Sequence, residues 1–355
     1  MRRIALVAVV ATVVVLAGAG AAAAKGDDGA PTTDSGAFDA LHRSMQRRVA
    51  ADDLDGEMVV VADADRILDQ RNVGSVAGDT VLPIASASKW LTAATLMTLV
   101  DEGRLALDDP VADHLPGFGG AKKDVRVRHL LSHTSGLAYD ACVGASTGVT
   151  AKECAARIAA GPAPSAEPGT RFVYSSVGYE VAAALIEELT GQSFEAAFQE
   201  RIAVPLGMRH TRFDRAGPHA VPAASGTSTV DDYAAFVAMM ANHGVTADGT
   251  RVLSADAVDA IERDQVEGID TRGDPAVQTT GIPTYGLGVW RDVVGPDDEI
   301  RVLSGSGAYG FYPWIDRRHD TWGIIGVADT VHGADHAVPK SQRQARMAWR
   351  AAPRS

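Results

Sequence analysis

The chain has little cysteine, little lysine and no extended basic run. Its two cysteines, Cys142 and Cys154, in 355 residues leave room for one disulfide at most. No run of basic residues is longer than a pair, and the net charge is −12. Nucleic acid needs a concentrated basic surface to neutralise phosphates, so it is excluded as a partner. The acidity reads as a means of staying soluble. No cysteine follows the N-terminal apolar stretch, which excludes a lipid-modified cysteine there.

That stretch has the order of an export signal. Met1-Arg2-Arg3 precedes an apolar run from Ile4 to Leu16, then Ala- and Gly-rich sequence to Ala24. Ala22-Ala23-Ala24 fits a small-residue cleavage site. Residues 1–24 therefore read as a signal peptide, with an uncleaved anchor as the rival, since the segment is nearly long enough to span a bilayer. The small residues near its end favour cleavage. A secreted or cell-envelope location follows, with membrane contact only if the segment stays attached. Residues 25–37 are polar and turn-rich and read as a flexible linker. Residues 38–355 are enough for a large core, as one domain or two interleaved lobes. In an oxidising compartment two cysteines so close in sequence are expected to pair. Closing that loop stabilises by roughly 3 kcal/mol in the chain-entropy model.

Against this background one short stretch stands out, Ser86-Ala87-Ser88-Lys89. Six lysines face 27 arginines, and only Lys89 has a serine three positions earlier. At i and i+3 on a helix the two side chains share a face. Lysine, unlike arginine, can give up its proton when buried. A desolvated lysine beside a serine makes a nucleophile and its base.

The apolar spacing after Ile84 predicts a buried helix ended by Gly103, with the pair in its first turn. A helix is expected over Phe38–Ala50 and strands over Met58–Ala62 and Arg66–Gln70, with Asn72–Thr80 a loop. Helical pieces follow at Val125–Leu131, Ala151–Ala160, Gly178–Thr190, Phe194–Ile202 and Val230–Asn242. Phe172–Tyr174 reads as a short extended piece. Strands are expected at Gly286–Trp290, Glu299–Leu303, Tyr309–Ile315 and Trp322–Ala328, then a helix over Val338–Ala351. Strands at both ends with helices between imply an α+β fold. The two ends would meet in one antiparallel sheet, and the helical middle would form a second lobe.

Several separated segments, in order, resemble the serine β-lactamase and penicillin-recognising enzyme superfamily. They are Pro83–Lys89, Gly103–Pro110, Val127–Leu137, Glu167–Tyr179, Pro205–Met208, Ser228–Asp232 and Tyr285–Gly288. Within it, the branch holding class C β-lactamases, D-alanyl-D-alanine carboxypeptidases and related esterases is the most similar. The resemblance implies an acyl-enzyme at Ser86, with Lys89 taking its proton and Tyr174 as the other proton carrier. A tyrosine serves as base only if a cation stabilises its phenolate, and Lys89 is the expected one. The resemblance also aligns the third motif with Gly305-Ser306-Gly307. It makes the N–H groups of Ser86 and Ala308 the oxyanion hole. Losing one such donor commonly costs about 3 kcal/mol.

Two positions depart from the pattern. Ser176 replaces the asparagine of the second motif, and Gly305 replaces the lysine or histidine of the third. In relatives these help bind the substrate amide and the carboxylate of penicillins or peptide ends. A charge-assisted hydrogen bond contributes about 1.5–3 kcal/mol, so carboxylate-bearing substrates should bind less well. An ester or amide without that anchor is the expected substrate, with no metal or organic cofactor. Arg301 is the candidate to replace the missing cation. Tyr179, Tyr309, Phe311, Tyr312 and Trp314 are candidates for an apolar acyl pocket, although in a strand half of such residues pack the core. The alternatives are a carboxypeptidase or β-lactamase acting on cell-wall peptides or β-lactams, and an inert penicillin-binding or sensor protein.

Two rival sites carry less weight. Gly144-Ala145-Ser146-Thr147-Gly148 matches a nucleophile elbow, but Tyr139–Val143 is a poor preceding strand. His129 and His133 have zinc-pair spacing without the accompanying glutamate. His332 and His336 flank a polar loop and read as solvent-facing.

Overall fold

A computed structural model describes residues 36–137, 142, 149–213, 221–329 and 331–353. The strands are β1 (Gly56–Ala62), β2 (Ile67–Gly74), β3 (Leu82–Pro83), β4 (Thr227–Ser228), β5 (Trp290–Val294), β6 (Ile300–Ser304), β7 (Tyr312–Asp316) and β8 (Thr321–Val327). The helices are α1 (Asp39–Ala51), α2 (Ser88–Asp101), α3 (Val127–Leu131), α4 (Ala151–Ala160), α5 (Val177–Thr190), α6 (Phe194–Phe198), α7 (Val230–Ala241), α8 (Ala255–Glu262), α9 (Pro275–Thr280) and α10 (Ala334–Ala351).

Six strands form one antiparallel sheet in the order β2-β1-β8-β7-β6-β5. Strands from the two ends of the chain pair inside the sheet, where Glu57 faces Val327 and Ala62 faces Trp322. Both faces of β1 are buried, which accounts for its apolar run from Met58 to Ala62. Alternate residues point opposite ways. Met58, Val60 and Ala62 join the main core with α2, α5 and α7, while Val59 and Val61 pack beneath α1 and α10. This α+β arrangement is the expected one.

α2 is buried on every side from Ser88 to Leu99, with apolar residues and threonines filling most of it, as suits a helix in the middle of a core. Its first turn is tied down at several points. Tyr233 Oη donates to Ala87 O at 2.9 Å, Thr92 Oγ1 to Pro222 O at 2.7 Å, and Gly226 N to Ser88 Oγ at 3.1 Å. β3 and β4 pair beside it.

Several boundaries differ from the sequence reading. Ser86 lies in a 3₁₀ turn, Ala85–Ala87, just before α2. β2 runs on to Gly74, into the expected loop. Gly286–Val289 is a turn, and the strand starts at Trp290. The reason is steric. Gly288 has φ +80°, and a Cβ there would stand 2.6 Å from Lys89 O. Leu287 and Val289 are nevertheless fully buried, which is why the segment reads as a strand. α8 and α9 are additional helices in a region the sequence reading left without structure. The disulfide is as expected, joining Cys142 to Cys154. The Gly144–Gly148 motif lies outside the described residues.

Candidate active site

Ser86 is presented by a strained turn. Ala85 before it has φ +44°, a left-handed conformation that costs a non-glycine residue roughly 1–2 kcal/mol. The Ser86 side chain is half-buried. Lys89, one turn on, is sealed from water, and its Nζ donates to Ser86 Oγ at 3.1 Å and to Ala223 O at 3.0 Å. No carboxylate faces it among the described ion pairs. Desolvation alone pulls the ammonium down to about 7.

Tyr174 stands on the other side of the amine, its ring centre 4.7 Å from Lys89 Nζ. Burial pushes the phenol up to about 12. The Ser86 hydroxyl works against that shift, and the nearby Asp274 carboxylate adds to it. Tyr174 is therefore a neutral phenol at rest. Desolvation is the largest influence on this group, and Lys89 is not among those that lower it.

The third motif comes within backbone contact of the serine turn. A Cβ on Gly307 would stand 2.3 Å from Ile84 O, so only glycine lets the two backbones approach so closely. Gly305 N donates to Pro313 O and Gly307 N to Phe311 O. No acceptor among the described residues takes the N–H of Ser86 or Ala308. Those two donors are the ones the family pattern assigns to an oxyanion. Ser306 is buried, Ala308 is half-buried, and Ser176 caps the start of α5 with its side chain unspent on the cap.

Gly305 is closed in by neighbours. A Cβ there would meet the Trp90 ring at 3.1 Å and Pro313 at 3.3 Å. Arg301 does not replace the missing cation. It sits at the far end of β6, about 13 Å of strand from Gly305, with its guanidinium packed on Gly295. The acyl-pocket candidates are mostly core. Tyr179 Oη donates to Leu131 O and Tyr312 Oη to Asp292, Phe311 packs on Tyr233, and Trp314 on Trp349. Only Tyr309 is half-buried, beside Ala308.

The histidines serve separate places. His129 Nδ1 accepts the Arg126 N–H at the start of α3, and burial with two adjacent arginines holds its ring down to about 4. His133 lies among Tyr174, Tyr179, Tyr285 and Phe172. His332 pairs with Asp329, and His336 with Asp52 and Lys340. Both are half-buried, with rings stacked 4.5 Å apart, so they are less open to solvent than the sequence suggests.

The fold and this serine–lysine–tyrosine grouping define a serine hydrolase of the penicillin-recognising type. The profile of the β-lactamase family matches residues 19–346, and the chain belongs to that family. Penicillin-binding protein 4 of Amycolatopsis lactamdurans is 34% identical over 278 residues, spanning 66% of this chain and 71% of that one. Esterase EstB of Burkholderia gladioli is 38% identical over 165 residues, 41% of this chain and 42% of that one. The crystal structure of a proposed β-lactamase from Bacteroides dorei superposes with a TM-score of 0.79 at 30% identity, covering 87% of this chain and 98% of that one.

Proposed function

We propose that this chain is an exported hydrolase of carboxylic esters or amides that works through an acyl-enzyme at Ser86. The observation that carries the reading is the Lys89 amine, buried without a counter-ion among the described residues and 3.1 Å from the Ser86 hydroxyl. An amine held near 7 is half neutral at neutral pH, so it can take the serine proton as Oγ bonds to the substrate carbonyl. The oxyanion forms against the Ser86 and Ala308 N–H groups. The C–O or C–N bond then breaks, and the leaving group takes a proton relayed through Lys89 and the neutral Tyr174 phenol. Water attacks the acyl-enzyme and gives its proton to the same pair; the bond between the acyl carbon and Ser86 Oγ then breaks, Oγ takes that proton back, and the acid leaves.

Gly305 and Ser176 favour a substrate with no carboxylate to anchor, and the esterase relative supports that choice. The relative named as a penicillin-binding protein supports a second reading, in which a β-lactam or D-alanyl peptide acylates Ser86. Residues 1–24 as a signal peptide and 25–37 as a linker fit the disulfide. Among the described residues no helix is long and apolar enough to cross a membrane.

The test is hydrolysis of p-nitrophenyl butyrate by the protein from residue 38 onward, beside its Ser86→Ala variant. Turnover by the wild type alone is expected, with kcat/KM rising tenfold per pH unit below about pH 7 as Lys89 loses its proton. Labelling of Ser86 by a fluorescent penicillin without ester turnover would replace this reading with the second. Equal turnover by both proteins would place the nucleophile elsewhere, with Ser146 the first residue to examine.

A further inference from the structure

Tyr174 belongs to a segment with no regular secondary structure, yet three consecutive backbone N–H groups there are held. Val173 N donates to His133 O at 2.9 Å, Tyr174 N to Asp274 Oδ2 at 2.9 Å, and Ser175 N to His133 Nδ1 at 3.3 Å. Both partners come from distant parts of the chain. The other Asp274 oxygen accepts Ala276 N at 2.9 Å and caps α9, so one carboxylate ties that helix to the tyrosine.

His133 is costly to place. It is buried, its backbone is left-handed at φ +61°, and its ring centre lies 4.3 Å from that of Tyr174. Nδ1 is an acceptor, so the neutral ring carries its proton on Nε2. That Nε2 is buried and has no hydrogen-bond partner among the described residues. Burial and the adjacent Lys89 keep the ring neutral, well below its ordinary range. A strained backbone and an unsatisfied buried donor each cost on the order of 1–3 kcal/mol. Such costs persist where the arrangement serves a site.

We propose that His133 and Asp274 are positioning residues: a clamp on the backbone of 173–175 that fixes the Tyr174 hydroxyl against Ser86 and Lys89. The inference rests on the reading of Tyr174 as a proton carrier. The clamp acts on where the hydroxyl stands rather than on substrate, so its loss should lower kcat and leave KM nearly unchanged.

Asp274→Ser separates the two tasks of the carboxylate, because serine still caps α9 but cannot reach Tyr174 N–H. We expect kcat for p-nitrophenyl butyrate to fall about 10–100-fold with KM moved less than about threefold. In the Tyr174→Phe background the same change should cost less than about threefold, since no hydroxyl remains to place. His133→Asn puts an acceptor oxygen near Nδ1 and tolerates a left-handed backbone, so it should stay within about tenfold of wild type. His133→Ala should fall as far as Asp274→Ser. If Asp274→Ser does not fold, Asp274→Asn, which leaves one acceptor oxygen for two N–H groups, is measured in its place. Wild-type kcat in Asp274→Ser, or full additivity with Tyr174→Phe, overturns the clamp while leaving the proposed function standing. Wild-type kcat in Tyr174→Phe itself overturns both the role of that tyrosine and the clamp.

Discussion

Lys89 and Arg48 are cations sealed from water on the two sides of the central sheet, and they are surrounded in opposite ways. Arg48 on α1 has partners for both terminal nitrogens, and only its Nε lacks a hydrogen bond among the described residues. Its Nη1 donates to Glu57, Ser341 and Gln344, each at 2.9 Å, and its Nη2 to Ala337 O at 3.3 Å. Ser341 in turn donates to Gly310 O at 2.7 Å, so this network braces the third-motif turn from behind. Among the described residues Lys89 has one hydroxyl and one carbonyl, and no carboxylate. A buried charge matched by partners holds the fold in register. One left unmatched is ready to lose its proton, and it lies where bonds are to be made and broken.

Replacing each cation by methionine should expose the contrast. The largest effect is on turnover. Lys89→Met should lower kcat/KM by about 10³–10⁴-fold, or about 4–5.5 kcal/mol of transition-state stabilisation. Arg48→Met should instead lose about 3–5 kcal/mol of stability in urea unfolding, because it strands the Glu57 carboxylate without its partner. Its activity per folded molecule should fall less than about tenfold. Similar stability losses in the two variants would erase the distinction drawn here.

The smallest effect is the sharpest test. Lys89→Met should gain about 1–3 kcal/mol of stability, since it removes an uncompensated buried charge. The folded lysine titrates near 7 and the unfolded one near 10.5. Between those values the unfolded chain holds the proton and the folded chain does not, so wild-type stability rises with pH across that window. The advantage of the variant should be greatest at and below pH 7 and fade towards pH 10.5. Urea midpoints at pH 6.5 and pH 10 check this. A gap that widens at high pH would contradict the assignment of Lys89 as a desolvated amine.

Much of this was legible in the chain. The Ser86–Lys89 spacing and the apolar runs of α2, β1 and β8 are local signals, and local signals survive folding. What escaped depends on contacts between distant segments. Nothing near Gly286–Val289 tells that its backbone must pass beside the α2 carbonyls, so its buried apolar residues imitate a strand. Tyr312 and Trp314 look like pocket aromatics until α10 and Asp292 cover them. The elevated Tyr174 phenol could not be foreseen, because its surroundings come from residues 133, 274 and 285. Asp274-Pro275 did carry a readable sign, a capping residue followed by proline, and it marks the start of α9.

The β1–β8 pairing also has a consequence in time. Glu57 cannot meet Val327 until about 270 further residues have been made. At synthesis rates of about 5–20 residues per second, that is a wait of roughly 15–50 seconds. Throughout it the apolar residues of β1 lack their β8 neighbour. The ribosome therefore releases a chain whose sheet closes last, and a holding chaperone has its longest opportunity at the N-terminal strands.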